Sequence, residues 1–341
     1  MKRVTFLCEL PPPFGGVTVK NQLILDTVVR SSDAVQLVDF CEIKRNPIKV
    51  ASVFFKMVNA FARKDSIVYG FGSNLRLRHA LTLQKLIGGK ESLSKTVNVI
   101  MGGRFQEYVN ADSKLKNLLS AIKLNLVETK GMQEAFKKIG LQRTAVFPNA
   151  RLADKSRIPV SHDSALRCVF FSKICEDKGV DYILSEFENV EGVTVDFYGH
   201  IAGEIKDRFE SFINTHSYAN YKGVFDVAKN DVYAELSQYD ILLLPTKWKG
   251  EGVPGILVES KMAGITAIVS DMNYNAEIVN DGVEGIVLNN LEKGSLYNAV
   301  MLLSDNRDKL MTLKVGAYQS RSRYAMESYI EILRTSFGLE E

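Results

Sequence analysis

Two glutamates in the second half of the 341-residue chain are spaced so that both can contact one ligand. Glu251 precedes a predicted helix at Pro254–Met262, and Glu259 lies within it, about one turn beyond Gly255 and on a similar face. The helix follows an apolar segment, Ile241–Leu244. Carboxylates repel phosphate but accept hydrogen bonds from hydroxyl groups. The pair is therefore expected to accept hydrogen bonds from hydroxyl groups of a ligand, such as those of a ribose and of a sugar.

Basic residues that could bind an anionic ligand are predicted close to the two glutamates, at the edge of a sheet where its strands end. Lys173 and Lys178 follow a predicted strand at Cys168–Ser172. The backbone N–H groups of Gly255 and Ile256 lie at the start of the helix, where they lack intrahelical partners and sit at the positive end of the helix dipole. Together these groups predict a phosphate site. Each carboxylate or lysine alone is typical of a solvated surface, and only their joint placement at strand ends favours a site.

Strands and helices alternate along the chain, which is the pattern of parallel α/β sheets. The predicted strands are Arg3–Leu10, Val35–Phe40, Ser66–Gly70, Thr96–Met101, Leu124–Glu128, Thr144–Phe147, Cys168–Ser172, Val193–Tyr198, Ile241–Leu244, Ala267–Ser270 and Gly285–Leu288. The predicted helices outside the candidate site are Lys20–Arg30, Gly179–Phe187, Asp231–Ser237, Leu291–Leu303 and Tyr324–Phe337.

A polar stretch after Pro148-Asn149 separates the two halves. We therefore predict an α/β protein of two doubly wound, Rossmann-like domains, at residues 1–150 and 151–319. A helix at about residues 320–341 is expected to pack back on the first domain. Ligands of such sheets bind at the carboxyl ends of the strands, which predicts a cleft that the two domains face.

Composition excludes several classes of protein. Of the residues, 46% are apolar and 24% are charged, and no apolar run approaches the roughly 18 residues that a membrane span needs. The chain is therefore expected to be neither disordered nor transmembrane. The basic start precedes an apolar stretch too short for a secretory signal, which predicts a cytoplasmic protein. The four cysteines and four histidines show no metal-ligand spacing, so we expect no metal site.

The two halves carry opposite charge. Residues 1–150 contain 23 Lys and Arg against 11 Asp and Glu, whereas residues 151–341 contain 20 against 29. A basic half predicts an anionic partner, such as a nucleic acid, a lipid surface or a phosphate-bearing substrate. No nucleic-acid-binding module is recognisable, so we expect no nucleic acid partner.

Three motifs together carry a resemblance to a known family. They are Phe171-Ser172-Lys173 leading to Lys178-Gly179, Glu251-Gly252-Val253-Pro254-Gly255 followed by Glu259, and Pro148-Asn149 between the halves. With them, the sequence resembles the retaining GT-B glycosyltransferases of family 4, and within that family the bacterial members that assemble polysaccharides. The similarity covers most of the chain and is densest at residues 145–290.

The resemblance implies a nucleotide-sugar donor and a role for each candidate residue. Glu259 would accept hydrogen bonds from the ribose, and Glu251 would hold the hydroxyls of the transferred sugar. Lys173 and Lys178 would bind the diphosphate. The family usually has Arg where this chain has Lys173, so the charge is kept but a bidentate phosphate contact is lost.

The resemblance also implies contacts from the first half. Gly15 and Gly16, in the loop after the first strand, would let the backbone approach the donor phosphates, although a Gly-Gly pair is also typical of a simple turn. Gly103 and Arg104 are the acceptor-side candidates, with a plain surface arginine as the alternative for Arg104. Similar members often carry a histidine where this chain has Met101, so no histidine role is assigned.

No Asp-x-Asp triplet occurs in the chain, so we expect catalysis without a metal. Lys173, Lys178 and the helix start would stabilise the departing diphosphate. Retention of configuration implies a front-face displacement, with a covalent intermediate on Glu251 as the alternative. Glu251, Lys178 and Lys173 are thus the predicted catalytic residues, and no cofactor is expected beyond the nucleotide-sugar substrate.

The implied acceptor is a lipid-linked saccharide in the assembly of O-antigen (lipopolysaccharide), capsule or exopolysaccharide. Basic amphipathic patterns at Ser52–Lys64 and Ser113–Glu128 predict peripheral contact with the anionic inner face of the cytoplasmic membrane. The alternatives are a non-catalytic, nucleotide-sugar-binding partner of another transferase and a GT-B sugar-nucleotide epimerase.

Overall fold

The computed structural model describes residues 3–29, 35–162 and 165–339. The chain forms two compact units, Met1–Ala150 together with Met326–Glu341, and Arg151–Ala325. It passes from one unit to the other at residues 150–151 and again at residues 325–326. The C-terminal segment therefore belongs to the same unit as the N-terminal half.

The first unit contains a six-stranded parallel sheet. Its strands are β1 (Val4–Cys8), β2 (Val35–Asp39), β3 (Ser66–Gly70), β4 (Val97–Val99), β5 (Leu124–Val127) and β6 (Thr144–Val146). The helices along this part of the chain are α1 (Gly16–Ile24), which continues as a π-helical turn at Leu25–Val29, α2 (Cys41–Arg45), α3 (Val50–Ala62), α4 (Asn74–Leu93), α5 (Phe105–Ala111), α6 (Ser113–Ala121) and α7 (Lys130–Lys138).

The second unit contains another six-stranded parallel sheet. Its strands are β7 (Leu166–Phe171), β8 (Val193–Tyr198), β9 (Ala219–Gly223), β10 (Ile241–Leu244), β11 (Thr266–Ser270) and β12 (Gly285–Leu288). Its helices are α8 (Val180–Glu186), α9 (Lys206–Thr215), α10 (Val232–Leu236), α11 (Gly255–Met262), α12 (Asn275–Ile278), α13 (Ser295–Asp305) and α14 (Arg307–Ser320). The last helix of the chain, α15 (Ile330–Phe337), belongs to the first unit. Within the described parts of the chain, no helix combines the length and the apolar character needed to span a bilayer.

Helices cover both faces of the second sheet. On β7, Cys168 and Phe170 pack with α8, α9 and α13, whereas Val169 packs with α10 and α11 on the other face. All four residues of β10 are buried. Because each face of such a strand needs apolar residues, the strand has a continuous apolar sequence rather than an alternating one. This pattern is why these strands could be located in the sequence.

The order of the strands differs between the two sheets. The first sheet runs β2-β1-β3-β4-β5-β6, and the second runs β9-β8-β7-β10-β11-β12. The direction of the connections reverses between β1 and β3 in the first sheet and between β7 and β10 in the second. In open α/β sheets a ligand binds beyond the carboxyl ends of the strands at this switch point. The side chains that follow these four strands therefore lie where a ligand is expected.

The predicted fold class, two Rossmann-like α/β domains, is confirmed. The strand β9 was not predicted, because it is an edge strand in which only Ala219 is buried and the apolar pattern is missing. The basic amphipathic pattern at Ser113–Glu128 is helical only as far as Ala121, in α6, and reading its second half as helix is wrong, because the chain there forms β5 within the strand predicted at Leu124–Glu128.

The helix boundaries differ at both ends of the chain. The first helix begins at Gly16 rather than at Lys20, and the last begins at Ile330 rather than at Tyr324, after 3-10 turns at Arg321–Tyr324 and Met326–Ser328. Arg30, the last residue of the first predicted helix, and residues 340–341 lie outside the described residues.

Candidate active site

The switch point of the second sheet brings Lys178 and Glu251 together. Lys178 ends a 3-10 turn that follows β7, and Glu251 lies in the loop between β10 and α11. Lys178 Nζ donates a hydrogen bond to Glu251 Oε1, and the two side chains are only 12% and 11% exposed. The ring centroid of Trp248, in the same loop, lies 4.8 Å from Nζ. Two of the predicted site residues thus form one buried ion pair beside an aromatic ring.

A glycine fixes the backbone next to this pair. Gly179 has φ +77°, and a Cβ there would lie 2.0 Å from the carbonyl oxygen of Pro245. The Lys247 N–H donates to the carbonyl oxygen of Asp177 at 2.8 Å. These contacts hold the turn after β7 against the loop after β10, and they fix the position of Lys178.

The second carboxylate oxygen of Glu251 is unsatisfied. Oε2 is buried and has no hydrogen-bond partner among the residues that the structure describes. An unpaired buried acceptor costs about 1–3 kcal/mol. A ligand hydroxyl that donates to Oε2 would remove this cost, so the geometry favours a hydroxyl-bearing ligand at this position.

The helix that follows offers backbone donors. α11 begins at Gly255, and its cap residue, Pro254, has no side-chain group that can accept from the helix. Leu257 donates to the Pro254 carbonyl oxygen at 3.1 Å, whereas the N–H groups of Gly255 and Ile256 have no backbone partner in the described chain. These two donors at the positive end of the helix dipole are free to bind an anion.

Glu259 pairs with an arginine that sequence reasoning missed. Arg151 Nε donates to Glu259 Oε1 at 2.8 Å, and the side chains are 8% and 17% exposed. Burial is the main cause that raises the pKa of the Tyr233 phenol, and the charge of nearby Glu259 raises it further. Arg151 and Glu259 are 108 positions apart. No spacing pattern connects two residues so distant, so the sequence held no signal for this pair.

Lys173 is placed differently from Lys178. Its side chain is exposed, and it forms no ion pair within the described residues. The preceding residue, Ser172, packs its carbonyl oxygen against Gly199, which has φ +139°. A Cβ on Gly199 would lie only 1.9 Å from that oxygen. The strand end is therefore fixed, but the Lys173 ammonium is not part of the ion pair that Lys178 forms with Glu251.

In the first unit, Gly15 and Gly16 lie at the N-terminus of α1, after β1 at the switch point of that sheet. The Thr18 hydroxyl donates to the Pro13 carbonyl oxygen at 2.8 Å and accepts the Gly15 N–H at 3.0 Å. A Cβ on either glycine would meet no atom within 4 Å. The turn is therefore held by Thr18, and the space around both glycines is open within this unit.

The acceptor-side candidates Gly103 and Arg104 lie just before α5. Gly103 is buried, whereas Arg104 is exposed. Arg104 Nε donates to Glu107 Oε2 at 2.7 Å, one turn along the same helix. The guanidinium of Arg104 is thus engaged by a neighbouring surface carboxylate.

The cysteines Cys8, Cys41, Cys168 and Cys175 are buried and unpaired with one another. Across residues 3–29, 35–162 and 165–339, no group of three or more His, Cys, Asp and Glu residues is arranged to hold a metal ion. The charged side chains at the candidate site are those of lysine, arginine and glutamate residues.

Solved structures share the whole fold. Anabaena HepE, determined in complex with UDP, matches with a TM-score of 0.76 at 15% identity and covers 99% of this chain and 100% of its own. Sucrose-phosphate synthase from Thermosynechococcus elongatus matches with a TM-score of 0.74 at 11% identity, over 99% of this chain and 100% of its own. The two six-stranded Rossmann-like sheets match these GT-B neighbours, and the predicted GT-B fold is confirmed.

Two curated relatives match shorter stretches. The 41.2 kDa protein in the cps region of Klebsiella pneumoniae is 25% identical over 124 residues, 36% of this chain and 33% of its own length. The UDP-Gal:alpha-D-GlcNAc-diphosphoundecaprenol alpha-1,3-galactosyltransferase of Escherichia coli is 29% identical over 79 residues, 23% of this chain and 20% of its own. The matched part thus spans a third or less of these relatives.

A family model matches most of the second unit. Residues 155–320 match the model described as Glycosyl transferases group 1. This stretch, just under half of the chain, contains Lys173, Lys178, Glu251 and Glu259. The part of the chain that holds most of the candidate site is therefore similar to the group 1 glycosyl transferases.

Proposed function

We propose that this chain is a glycosyltransferase that moves a sugar from a nucleotide-sugar donor to an acceptor hydroxyl. The observation that carries the proposal is the buried pair of Lys178 and Glu251, whose unsatisfied Oε2 lies in the loop that leads to the free N–H groups of α11. A carboxylate oxygen that can accept a hydrogen bond from a hydroxyl, in the loop that leads to an anion site, fits a ligand that joins a sugar to a diphosphate. The match of residues 155–320 to Glycosyl transferases group 1 supports the proposal.

In this proposal each group binds one part of the donor. Glu259 accepts hydrogen bonds from the ribose, and Glu251 Oε2 accepts one from the transferred sugar. Lys178, the exposed Lys173 and the start of α11 bind the diphosphate. The open turn at Gly15–Gly16 is the proposed approach to the phosphates from the first unit. UDP-sugars are the first donors to test, because a solved neighbour holds UDP and a curated relative is named for UDP-Gal.

The proposed reaction breaks the bond between the anomeric carbon and the diphosphate oxygen and forms a bond from that carbon to the acceptor oxygen. Negative charge grows on the leaving diphosphate, where Lys178 and the N–H groups of Gly255 and Ile256 stabilise it electrostatically. The acceptor proton passes to the leaving phosphate oxygen on the same face of the sugar. The configuration at the anomeric carbon is therefore retained, and no metal takes part in this step.

Donor turnover tests the proposal. We expect one UDP-sugar to release UDP in the presence of a saccharide acceptor, with the rate unchanged by EDTA and the donor's anomeric configuration found in the product by NMR. Glu251→Gln should lower kcat/KM by about 100-fold or more, because glutamine carries no charge to hold Lys178 and has one acceptor oxygen where Glu251 has two. Glu210→Gln, which changes an exposed carboxylate on α9, is the matched control and should be fully active.

Two other outcomes would contradict a transferase. An altered nucleotide sugar as the sole product would indicate a sugar-nucleotide epimerase. Tight UDP binding without turnover, for every donor and acceptor offered, would indicate a non-catalytic partner of another transferase.

We further propose a lipid-linked saccharide as the acceptor, in the assembly of O-antigen, capsule or exopolysaccharide at the inner face of the cytoplasmic membrane. One curated relative is named for a diphosphoundecaprenol-linked substrate, and the other for the cps region. The first of these names supports a lipid-linked saccharide as the acceptor.

Only one of the two basic segments presents apolar side chains to solvent. α3 and the turn before it expose four large apolar side chains by 46% or more: Ile48, Val50, Phe54 and Phe55. The exposed Lys44, Lys49 and Lys56 lie beside them in the chain. In α6, by contrast, the apolar side chains are buried: Leu115, Leu118 and Leu119. We therefore assign the proposed contact with an anionic membrane to α3.

Vesicle flotation tests this assignment. We expect the protein to float with phosphatidylglycerol vesicles at low salt, and Phe54→Ser combined with Phe55→Ser to abolish most of the binding. Leu86→Ser removes an apolar side chain on α4 that is 81% exposed and serves as the control. Equal loss with both variants, or no flotation of the unaltered protein, would contradict membrane contact through α3.

A further inference from the structure

Arg151 joins two features of the molecule. It is the first residue of the second unit, and its backbone contacts the point where the chain leaves that unit. The Arg151 N–H donates to the Tyr324 carbonyl oxygen at 2.8 Å, and Arg151 forms a parallel β-bridge with Ala325. Its side chain holds Glu259. A single buried residue thus connects both chain crossings to a carboxylate of the candidate site.

The chemistry of this pair suits a positioning role. A guanidinium remains charged at any physiological pH and presents its donors in a rigid plane, so it fixes the orientation of a carboxylate more closely than an ammonium does. Glu259 lies on α11, one turn after the free N–H groups of Gly255 and Ile256. The orientation of this carboxylate therefore sets where a ribose can bind relative to the helix start.

We propose that Arg151 is a positioning residue, which holds Glu259 for the ribose hydroxyls of the donor and links the occupancy of Glu259 to the segments where the chain crosses between its units. This inference rests on the proposed function, because it takes the ribose as the ligand of Glu259. It assigns to Arg151 an effect that depends on the ribose hydroxyls, whereas a purely structural arginine would affect all nucleotides alike.

A comparison of UDP with 2′,3′-dideoxy-UDP tests the positioning role by calorimetry. The unaltered protein should bind UDP at least tenfold more tightly than the dideoxy analogue. Arg151→Met should remove most of this preference, as Glu259→Gln should, and the double variant should lose no more than either alone. Arg151→Lys should retain part of the preference, and it gives the same readout if Arg151→Met does not fold. The control is Arg157→Met, which breaks a partly buried ion pair with Asp231 in the same unit.

The possible results separate this inference from the proposed function. If the unaltered protein prefers UDP but Arg151→Met and Arg151→Lys keep the full preference, or weaken both nucleotides equally, the positioning role is wrong and the donor site stands. If the unaltered protein binds both nucleotides equally, the ribose assignment of Glu259 is wrong, and the inference fails with it.

Amide hydrogen exchange tests the link to the crossing segments. Saturating UDP should slow exchange at residues 151–153 and 324–326 and in α11. In Arg151→Met, the protection should be confined to α11. Equal protection of the crossing segments with and without Arg151, or no protection in the unaltered protein, would overturn the link.

Discussion

Each unit buries a lysine and glutamate pair near the carboxyl ends of its strands, but the two pairs differ in how completely they are satisfied. In the first unit, Lys20 Nζ donates to Glu128 Oε1 at 2.9 Å and lies 4.7 Å from the Phe147 ring centroid, with side chains 2% and 4% exposed. Both residues have further interactions. In the second unit, Lys178 and Glu251 are more accessible, and one carboxylate oxygen of Glu251 has no partner among the described residues. In this molecule it is therefore the unsatisfied oxygen beside Lys178, and not burial of an ion pair as such, that indicates a ligand site.

Lys20→Met should give the largest effect and would test the structural role of the closed pair. It leaves Glu128 as an uncompensated buried charge, so we expect the free energy of unfolding to fall by about 3–5 kcal/mol. UDP affinity of the folded protein should not change. Lys178→Met should do the reverse, with at least a tenfold loss of UDP affinity and a smaller loss of stability. Urea unfolding measures the free energy of unfolding, and calorimetry measures UDP affinity. If the two variants change both quantities to the same extent, the difference in role between the two pairs is wrong.

Gly179→Ala tests the backbone that holds the open pair. The new Cβ would clash with the Pro245 carbonyl oxygen at a positive φ, so we expect a loss of about 2–4 kcal/mol and weaker UDP binding. Gly192 also has positive φ, +68°, but a Cβ there meets no atom within 4 Å. Gly192→Ala should therefore cost only about 1–2 kcal/mol and leave UDP binding intact. Similar losses of UDP affinity in both variants would count against the role of the Gly179 turn.

A second closed pair gives the second unit a pH dependence. Asp240 and Lys314, each 1% exposed, are 2.9 Å apart, and His162 also bonds to Asp240. Burial raises the pKa of Asp240, but the charge of Lys314 and the hydrogen bonds from His162 and Lys314 outweigh this effect, so the pKa of Asp240 is lower in the folded protein than its ordinary value. Because the unfolded chain takes up this proton at a higher pH, the pair stabilises the fold above about pH 3.8 and loses this effect as the pH falls further.

Asp240→Asn should therefore make the free energy of unfolding depend less strongly on pH under acidic conditions. Urea midpoints measured from about pH 5 to pH 3 should fall less steeply than in the unaltered protein, although the variant is less stable at neutral pH because Lys314 loses its partner. Asp207→Asn, an exposed position on α9, is the control. An unchanged slope in Asp240→Asn would show that other carboxyl groups dominate acid unfolding.

Gly16→Ala should have the smallest effect on stability, within about 0.5 kcal/mol, because a Cβ at this position meets open space. If donor phosphates approach the turn, kcat/KM should nevertheless fall, since the methyl group would occupy that space. Steady-state kinetics together with thermal unfolding separates the two effects. Full activity of Gly16→Ala would remove the proposed role of the glycine turn.

The basic character of the first half is explained in part by the ends of helices. Arg63 caps α3, Lys137 and Lys138 lie in the last turn of α7, and Lys123 donates to the Ser336 carbonyl oxygen in α15 at 2.8 Å. Cations at helix C-termini stabilise them by about 0.3–1 kcal/mol each. The charge balance is therefore weaker support for an anionic partner than the composition suggested, and the exposed face of α3 is stronger support.

The two parallel sheets could be predicted from the sequence alone, because continuous apolar runs and amphipathic helices are local properties that burial on both faces requires. The sequence also indicated which carboxylates and lysines follow the strands. The partners of these side chains follow from the three-dimensional fold: Lys178 pairs with Glu251, 73 positions away, and Glu259 with Arg151, 108 positions away. Such pairing depends on which strand ends become neighbours, and the strand order that sets this is not encoded in any local pattern.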